Sequence, residues 1–329
     1  MASMTRWPRV EAALAGEDPD RPPLSFWQHF PGRDRTAAGL AQATIDFQQT
    51  YDLDLVKLMP TGMYMAQAWG CEIGPGDAQI GTTALVRSVV QDADDWTRLA
   101  PLDVHGGILG EQLAMIRQVR QALGREVPII QTIFSPLTTA TKIGGARVTA
   151  DRRAAPRQLR RALEVITMTT RDFARACLEA GADGFFFATQ HASRDVLPRD
   201  EFEEWGRPFD LQVLDPLAAL YRLVVVHAHG NHLFFDSVVR YPAQVINWHD
   251  REGGPTLREA QTLTDKCLGG GISRAGALVH GTPQQVQDEV RDAVAQTHGR
   301  HLFVMPGCVV PLNAPAANLR ALRQAIEQA

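Results

Sequence analysis

Short apolar runs of β type recur along the chain, each followed by a stretch of helical character. Eight stand out: 23–27 (PLSFW), 53–59 (LDLVKLM), 127–133 (VPIIQTI), 182–189 (ADGFFFAT), 223–229 (LVVVHAH), 245–249 (VINWH), 268–272 (LGGGI) and 301–305 (HLFVM). The seventh is the weakest, because successive glycines are poor strand formers. Between the runs, 156–178 places apolar residues three and four apart, the spacing of a core-facing helix. Residues 200–214 and 282–295 read the same way, the second opening on Thr282-Pro283, a good N-cap and first-turn pair. Gly181 and Gly299 stand just past predicted helices, where a C-terminal glycine belongs.

Strands alternating with helices imply a parallel sheet. Eight repeats predict an α/β fold of the (β/α)8 TIM-barrel type, a single domain over 1–329 with an N-terminal extension. An open doubly wound sheet would carry a glycine-rich phosphate loop after its first strand. Here that strand runs on as Trp27-Gln28-His29-Phe30-Pro31-Gly32. The stretch 70–110 between the second and third strands is long enough for an inserted hairpin.

Composition narrows the function classes. The 329 residues are 45% hydrophobic and 21% charged with a net charge of −4, which suits a globular enzyme and argues against a nucleic-acid partner. No apolar run reaches the roughly 18 residues of a membrane span, and MASMTRWPRV lacks a signal-peptide core. Met1-Ala2-Ser3 ahead of Met4 reads as a cloning remnant. Cys71, Cys177, Cys267 and Cys308 form no CxxC and are expected as reduced thiols in a cytoplasmic protein.

In such a barrel the chemistry gathers at the C-terminal ends of the strands. Five of the ten histidines fall there: His29, His191, His227, His229 and His249. Residues i and i+2 of a strand share a face, so His227 and His229 point together from an otherwise apolar strand and need a partner or a ligand. Cys308 arrives from the last strand. Two imidazoles and a thiolate are expected to hold Zn2+; the plainer alternative is a hydrogen-bonded histidine pair beside an inert thiol. An HxH also opens the amidohydrolase barrels, but on their first strand and with an Asp on the last, which this chain lacks. Trp27, Phe30, Met59, Met63, Tyr64, Phe134 and Trp248 are expected to wall the mouth, with Met63 and Phe30 nearer to ordinary core residues. Within it, Trp27, His29, Tyr64, Gln131, Phe134, Gln190 and Trp248 are the expected substrate contacts, and His191, Lys57 and His249 the expected acid–base groups.

The chain also resembles the uroporphyrinogen decarboxylase superfamily over nearly its whole length. The resemblance rests on RVEAALAGEDPDRPPLSFW, IIQTIFSPLTTATKIGG, GADGFFFATQHASRDVLPRDEFEEWGRPF, VINWHDR, GTPQQVQDEVRDAV and MPGCVVPLNAPAANLRAL. The superfamily holds true decarboxylases and methylcobalamin:coenzyme M methyltransferases, and is related to cobalamin-independent methionine synthase. The decarboxylase branch implies an arginine pair after the first strand and an Asp after the second, where this chain has FWQHFPGRD and, in KLMPTGMYM, no acid, Thr61 falling nearest. Its segment-three Tyr and its C-terminal His correspond to Lys142 and Cys308. The methyltransferase branch implies a zinc site of His-x-Cys plus a distant Cys, which maps onto His227, His229 and Cys308, with His229 replacing a Cys. The methionine synthases imply a further carboxylate, for which Glu252, Asp250 and His249 are the nearby candidates for a fourth ligand.

The resemblance therefore implies a methyl (one-carbon) transferase or demethylase component. It would use zinc to activate a thiol or other acceptor. A methylated corrinoid or other donor would be the co-substrate, on a separate corrinoid protein, since no cobalamin domain is visible in this chain. Two readings stand beside it: a metal-free decarboxylase or lyase working through His191, Lys57 or Lys142, and a non-catalytic ligand-binding barrel.

Overall fold

The computed structural model describes residues 3–328, so the reading of Met1-Ala2 falls outside the described residues. Nine strands form: β1 (Val56–Leu58), β2 (Glu72–Pro75), β3 (Thr83–Arg87), β4 (Ile129–Phe134), β5 (Gly184–Thr189), β6 (Leu223–Ala228), β7 (Val245–Trp248), β8 (Cys267–Ile272) and β9 (Leu302–Pro306). Seven of them pair in parallel in the order β1-β4-β5-β6-β7-β8-β9. The run 23–27 supplies the eighth stave, though as a single bridge, Leu24 to Val304, rather than a full strand. Pro23, and Pro22 just before the run, have no N–H to give a ladder. It still joins both edges: Ser25 N donates to Val304 O at 3.1 Å and Val304 N to Pro23 O at 2.9 Å, while Asp54 N donates to Leu24 O at 2.9 Å. The sheet is thereby closed, and the expected barrel is the observed fold. β2 and β3 make the antiparallel hairpin expected in the insertion.

Helices cover the outside. Pro156–Glu179 turns Leu159, Leu163, Ile166 and Phe173 inward at three-, four- and seven-residue steps, each buried side chain contributing about 1.5–3 kcal/mol. Thr282 caps Pro283–Thr297 in a reciprocal box with Gln285. The predicted helix 200–214 is two helices, Arg199–Trp205 and Arg207–Ala218, broken at Gly206. The glycine-rich run is a full strand, paired on both sides. A Cβ at Gly269 would lie 2.9 Å from Met305 Sδ and 3.2 Å from Val245 Cγ1, so glycine there leaves room for the packed lumen.

Register fixes which side chains face the lumen, because parallel partners share a face. Lys57 pairs with Ile130, Thr132 with Phe186, Phe134 with Ala188, and His227 with both Ala188 and Asn247. Contacts across the barrel agree: the Trp27 ring lies 5.1 Å from Phe186, and Phe186 stacks on His227 at 5.2 Å.

Candidate metal centre

The C-terminal ends of β6, β7 and β9 bring four ligand-type side chains together. The donor atoms of His227, His229, His249 and Cys308 all lie within 4.8 Å of one another. Ring centroids of the three histidines are 4.8 to 5.9 Å apart. His227 and His249 are buried, whereas His229 and Cys308 are half-buried and form the side open to the barrel mouth. Cys308 Sγ stands 3.6 Å from His229 Nδ1. A tetrahedral Zn2+ with usual bond lengths holds its sulfur and nitrogen ligands about 3.6 Å apart. Cys308 reaches this position through the turn Pro306-Gly307-Cys308. Gly307 packs directly on the β7 end, where a Cβ would be 2.8 Å from His249 Cα.

Surrounding groups set the histidine tautomers. Asn247 Nδ2 donates to Gly269 O at 2.8 Å and to Pro306 O at 3.2 Å, and carbonyls can only accept. The amide oxygen is therefore the atom that meets His227 Nδ1 at 2.6 Å, and Nδ1 carries the proton. That leaves the His227 Nε2 lone pair free for the cluster. On His249, Nδ1 faces Glu252 Oε2 at 3.5 Å, and Glu252 Oε1 faces Arg274 Nε at 3.5 Å. His249 Nε2 is buried with no hydrogen-bond partner. A ligand histidine backed by a carboxylate or an amide is the usual outer arrangement of a metal site.

Burial pushes the Cys308 thiol up, but the His227, His229 and His249 imidazoles outweigh it and bring its pKa well below the thiol range. His227 is held below its ordinary value by burial, against the opposing pull of Cys308. A thiolate and imidazole lone pairs this close repel one another unless a cation or protons sit among them. The donor set is three borderline nitrogens and one soft sulfur, which fits Zn2+ among common biological cations.

The remaining expected residues divide between two places. Lys57 lies in the lumen, its amine 4.4 Å from the Phe186 centroid and 4.9 Å from that of Trp27, and burial lowers its pKa to about 7. His29 is buried beside it and is lowered to about 4 by burial and by the Lys57 charge. Phe134 lines the mouth under Lys142. His191 has both ring nitrogens engaged, Nδ1 with Thr138 Oγ1 at 3.3 Å and Nε2 with Thr141 Oγ1 at 3.0 Å. Gln190 is half-buried, and its N–H donates to Thr138 Oγ1 at 3.0 Å.

Two expected substrate contacts, Gln131 and Trp248, face the helix layer instead, and Tyr64 stands between that layer and Phe134, 6.2 Å from the Phe134 ring. Gln131 pairs with Leu58 on the outer face. Tyr64 donates to Thr132 O at 2.9 Å and packs on Phe173. Trp248 packs on Phe235 and donates to Pro255 O at 2.8 Å. Of the three candidates for a fourth ligand, His249 joins the cluster, Glu252 stands behind it, and Asp250 accepts from Gly271 N at 3.0 Å on the outer side. Asn247 and Phe186 are lumen residues that the expected set omitted.

A family model described as uroporphyrinogen decarboxylase (URO-D) matches residues 5–329. The methylcobamide:CoM methyltransferase MtaA of Methanosarcina barkeri is 23% identical over 341 residues, covering 98% of this chain and 97% of its own. MtbA of Methanosarcina acetivorans, also described as a methylcobamide:CoM methyltransferase, is 22% identical over 258 residues, 78% of this chain and 74% of its own. A solved methyltransferase from Methanosarcina mazei superposes with a TM-score of 0.82 at 21% identity over 99% of both chains. A B12-independent methionine synthase from Shewanella sp. W3-18-1 gives 0.64 at 13% identity, over 94% of this chain and 98% of its own. The solved structures bear on the fold, and it is the barrel described above. The curated relatives favour a transferase over a decarboxylase.

Proposed function

The chain belongs to the uroporphyrinogen decarboxylase family, and from that premise we propose that it transfers a methyl group from a corrinoid to a thiol at the mouth of the barrel. The observation that carries this reading is the cluster of His227, His229, His249 and Cys308. Bound there, Zn2+ would lower the pKa of an incoming thiol, so that its thiolate forms at neutral pH. His229 and Cys308, on the open side, are where that thiol approaches. As the new S–CH3 bond forms, the methyl–donor bond breaks and its electron pair stays with the donor.

The chain's own residues serve this transfer in three ways. Asn247 and Glu252 orient the His227 and His249 rings. Lys57 Nζ, held near neutrality by burial, takes up the proton that the thiol releases. Trp27, Phe186 and Phe134 keep water from the lumen side. The methyl donor would arrive on a separate corrinoid protein. No helix among the described residues is long and apolar enough to cross a membrane.

Metal analysis of protein purified without chelators should find about one zinc per chain. His227→Ala and Cys308→Ser should lose both the metal and methyl transfer from methylcobalamin to a thiol, followed by the corrinoid spectrum. A metal-free preparation with full transfer activity overturns the reading.

A further inference from the structure

The hairpin β2–β3 roofs a second cavity, of about 630 Å3, which shares no lining residue with the metal cluster. Its wall includes Gly32, Thr61 and Leu312, from the loops that follow the first stave, β1 and β9, so it lies at the C-terminal end of the barrel. The hairpin tip is seated there. Leu312 N donates to Gln79 O at 2.8 Å, and a Cβ at Gly81 would lie 2.6 Å from Pro31 Cγ.

Three carboxylates reach this wall from three separate segments: Asp34 on the turn Arg33–Arg35, Asp77 at the hairpin tip, and Glu111 near the start of the helix Gly107–Leu123. None of the three makes an ion pair among the described residues. Two nearby arginines are committed elsewhere, Arg33 to Asp46 at 2.7 Å and Arg87 to Glu72 at 3.2 Å. Arg35 is the one cation on the wall. Burial holds the Asp34 carboxyl above its ordinary value, against backbone hydrogen bonds and the pull of Arg35.

The second observation concerns an amide. Gln112 is 8% exposed and lies on the same wall, and its Oε1 is buried without a hydrogen-bond partner. Thr83 Oγ1, also on the wall, is buried and unpartnered as well. Buried polar groups are ordinarily paired, so an unpaired amide on a cavity wall is completed by what enters the cavity. Ionised carboxylates can only accept. The guest must therefore bring N–H donors and positive charge. A single metal ion does not fit: among the described residues, His227, His229, His249 and Cys308 are the only such donors that converge on one point. Acids spread around a cavity of this size suit an organic cation that spans them.

We infer that the cavity under the hairpin binds a donor-rich organic cation, an amine with two or more charged nitrogens. Asp34, Asp77 and Glu111 take its ammonium groups, and Gln112 accepts a hydrogen bond from it. The inference does not depend on the methyl-transfer reading, and its test needs no turnover.

Spermidine, a flexible triamine, is titrated by calorimetry at low salt into the full chain loaded with zinc. One saturable site per chain is expected. Glu111→Gln and Asp34→Asn should each weaken it about tenfold, the loss of a charge-assisted contact. Gln112→Leu removes no charge and should still weaken it about threefold or more. Glu164→Gln, which removes an exposed carboxylate from the helix Pro156–Glu179, should leave the affinity unchanged. Absence of saturable binding overturns the proposal. So does equal weakening by Glu164→Gln and Glu111→Gln, since the amine is then drawn to the whole surface. Unchanged affinity in Gln112→Leu overturns the built site, and propionamide binding as tightly as spermidine overturns the cationic class. Thermal unfolding and zinc content of each variant confirm that it is folded and loaded.

Discussion

Asn247 is the residue on which the geometry of the metal centre turns, and it touches no metal donor site of its own. Its amide makes three hydrogen bonds: one accepted from His227 Nδ1 and two donated to the carbonyls of Gly269 and Pro306. Asn247→Leu removes all three while keeping the same branched side-chain shape. The His227 ring then loses the contact that fixes its tautomer, and loss of such an outer partner costs about 10–100-fold in metal affinity, or about 1.4–2.7 kcal/mol. Three buried polar groups are also left unpaired, at roughly 1–3 kcal/mol each. The metal-free protein should therefore lose at least about 3 kcal/mol of stability as well.

Asn247→Asp separates the two effects. Its inner oxygen still accepts from His227 Nδ1, and its charge strengthens that contact. Its outer oxygen faces two carbonyls and has no proton to offer them. Metal affinity should hold or rise while the metal-free fold weakens. Competition against a zinc-binding dye gives the affinity, and urea unfolding in excess chelator gives the stability. A leucine variant that binds zinc as tightly as the wild type refutes the argument, because His227 would then be either no ligand or not set by Asn247.

Three further outcomes follow from buried groups. His191 has its pKa lowered from 6.5 to about 4 by burial and then by Arg152 and Lys142. The unfolded chain binds that proton first as pH falls, so stability is full above pH 6.5 and falls by about 3 kcal/mol by pH 4; His191→Gln should flatten this slope in urea titrations at the two pH values. Asp210 lies fully buried, accepts from Tyr241 Oη at 2.8 Å, and is raised by burial from 3.8 to about 8. Its contribution is therefore lost as pH rises from about 4 to 8, and Asp210→Asn should gain about 5 kcal/mol relative to wild type at pH 8; equal stability of the two proteins at that pH would falsify the assignment of a protonated carboxyl. Gly307→Ala would place a methyl 2.8 Å from His249 Cα and 3.0 Å from Trp248 O. It should displace Cys308 and cut zinc occupancy while leaving the barrel folded by circular dichroism.

The staves of the barrel were legible because their runs are apolar on both faces, as a strand between lumen and helices must be. Even LGGGI formed its strand, since the backbone ladder to β7 and β9 does not need side chains and the lumen needs the space. The helix at 200–214 was harder to read, because the break at Gly206 leaves the apolar spacing on either side intact.

The site is legible in the sequence as far as the alternation of side chains along each strand sets which face they take. His227 and His229 were placed on one face by their spacing of two, and the structure keeps them together. The same rule, applied to VINWH, puts Val245, Asn247 and His249 on one face and Ile246 and Trp248 on the other. It would have sent Trp248 out to Phe235, brought His249 in beside His227, and flagged Asn247 as an amide facing the lumen. Gln131 and Phe134, three apart on one strand, likewise cannot share a face, and the register puts Phe134 inside. What no spacing could reveal is the role of Glu252. A carboxylate three residues beyond a histidine, in a turn, has no fixed direction until Arg274 arrives from the loop after β8 to hold it. First-rank donors on strands are thus readable from period two, whereas the groups that aim them depend on loops whose paths only the folded chain sets.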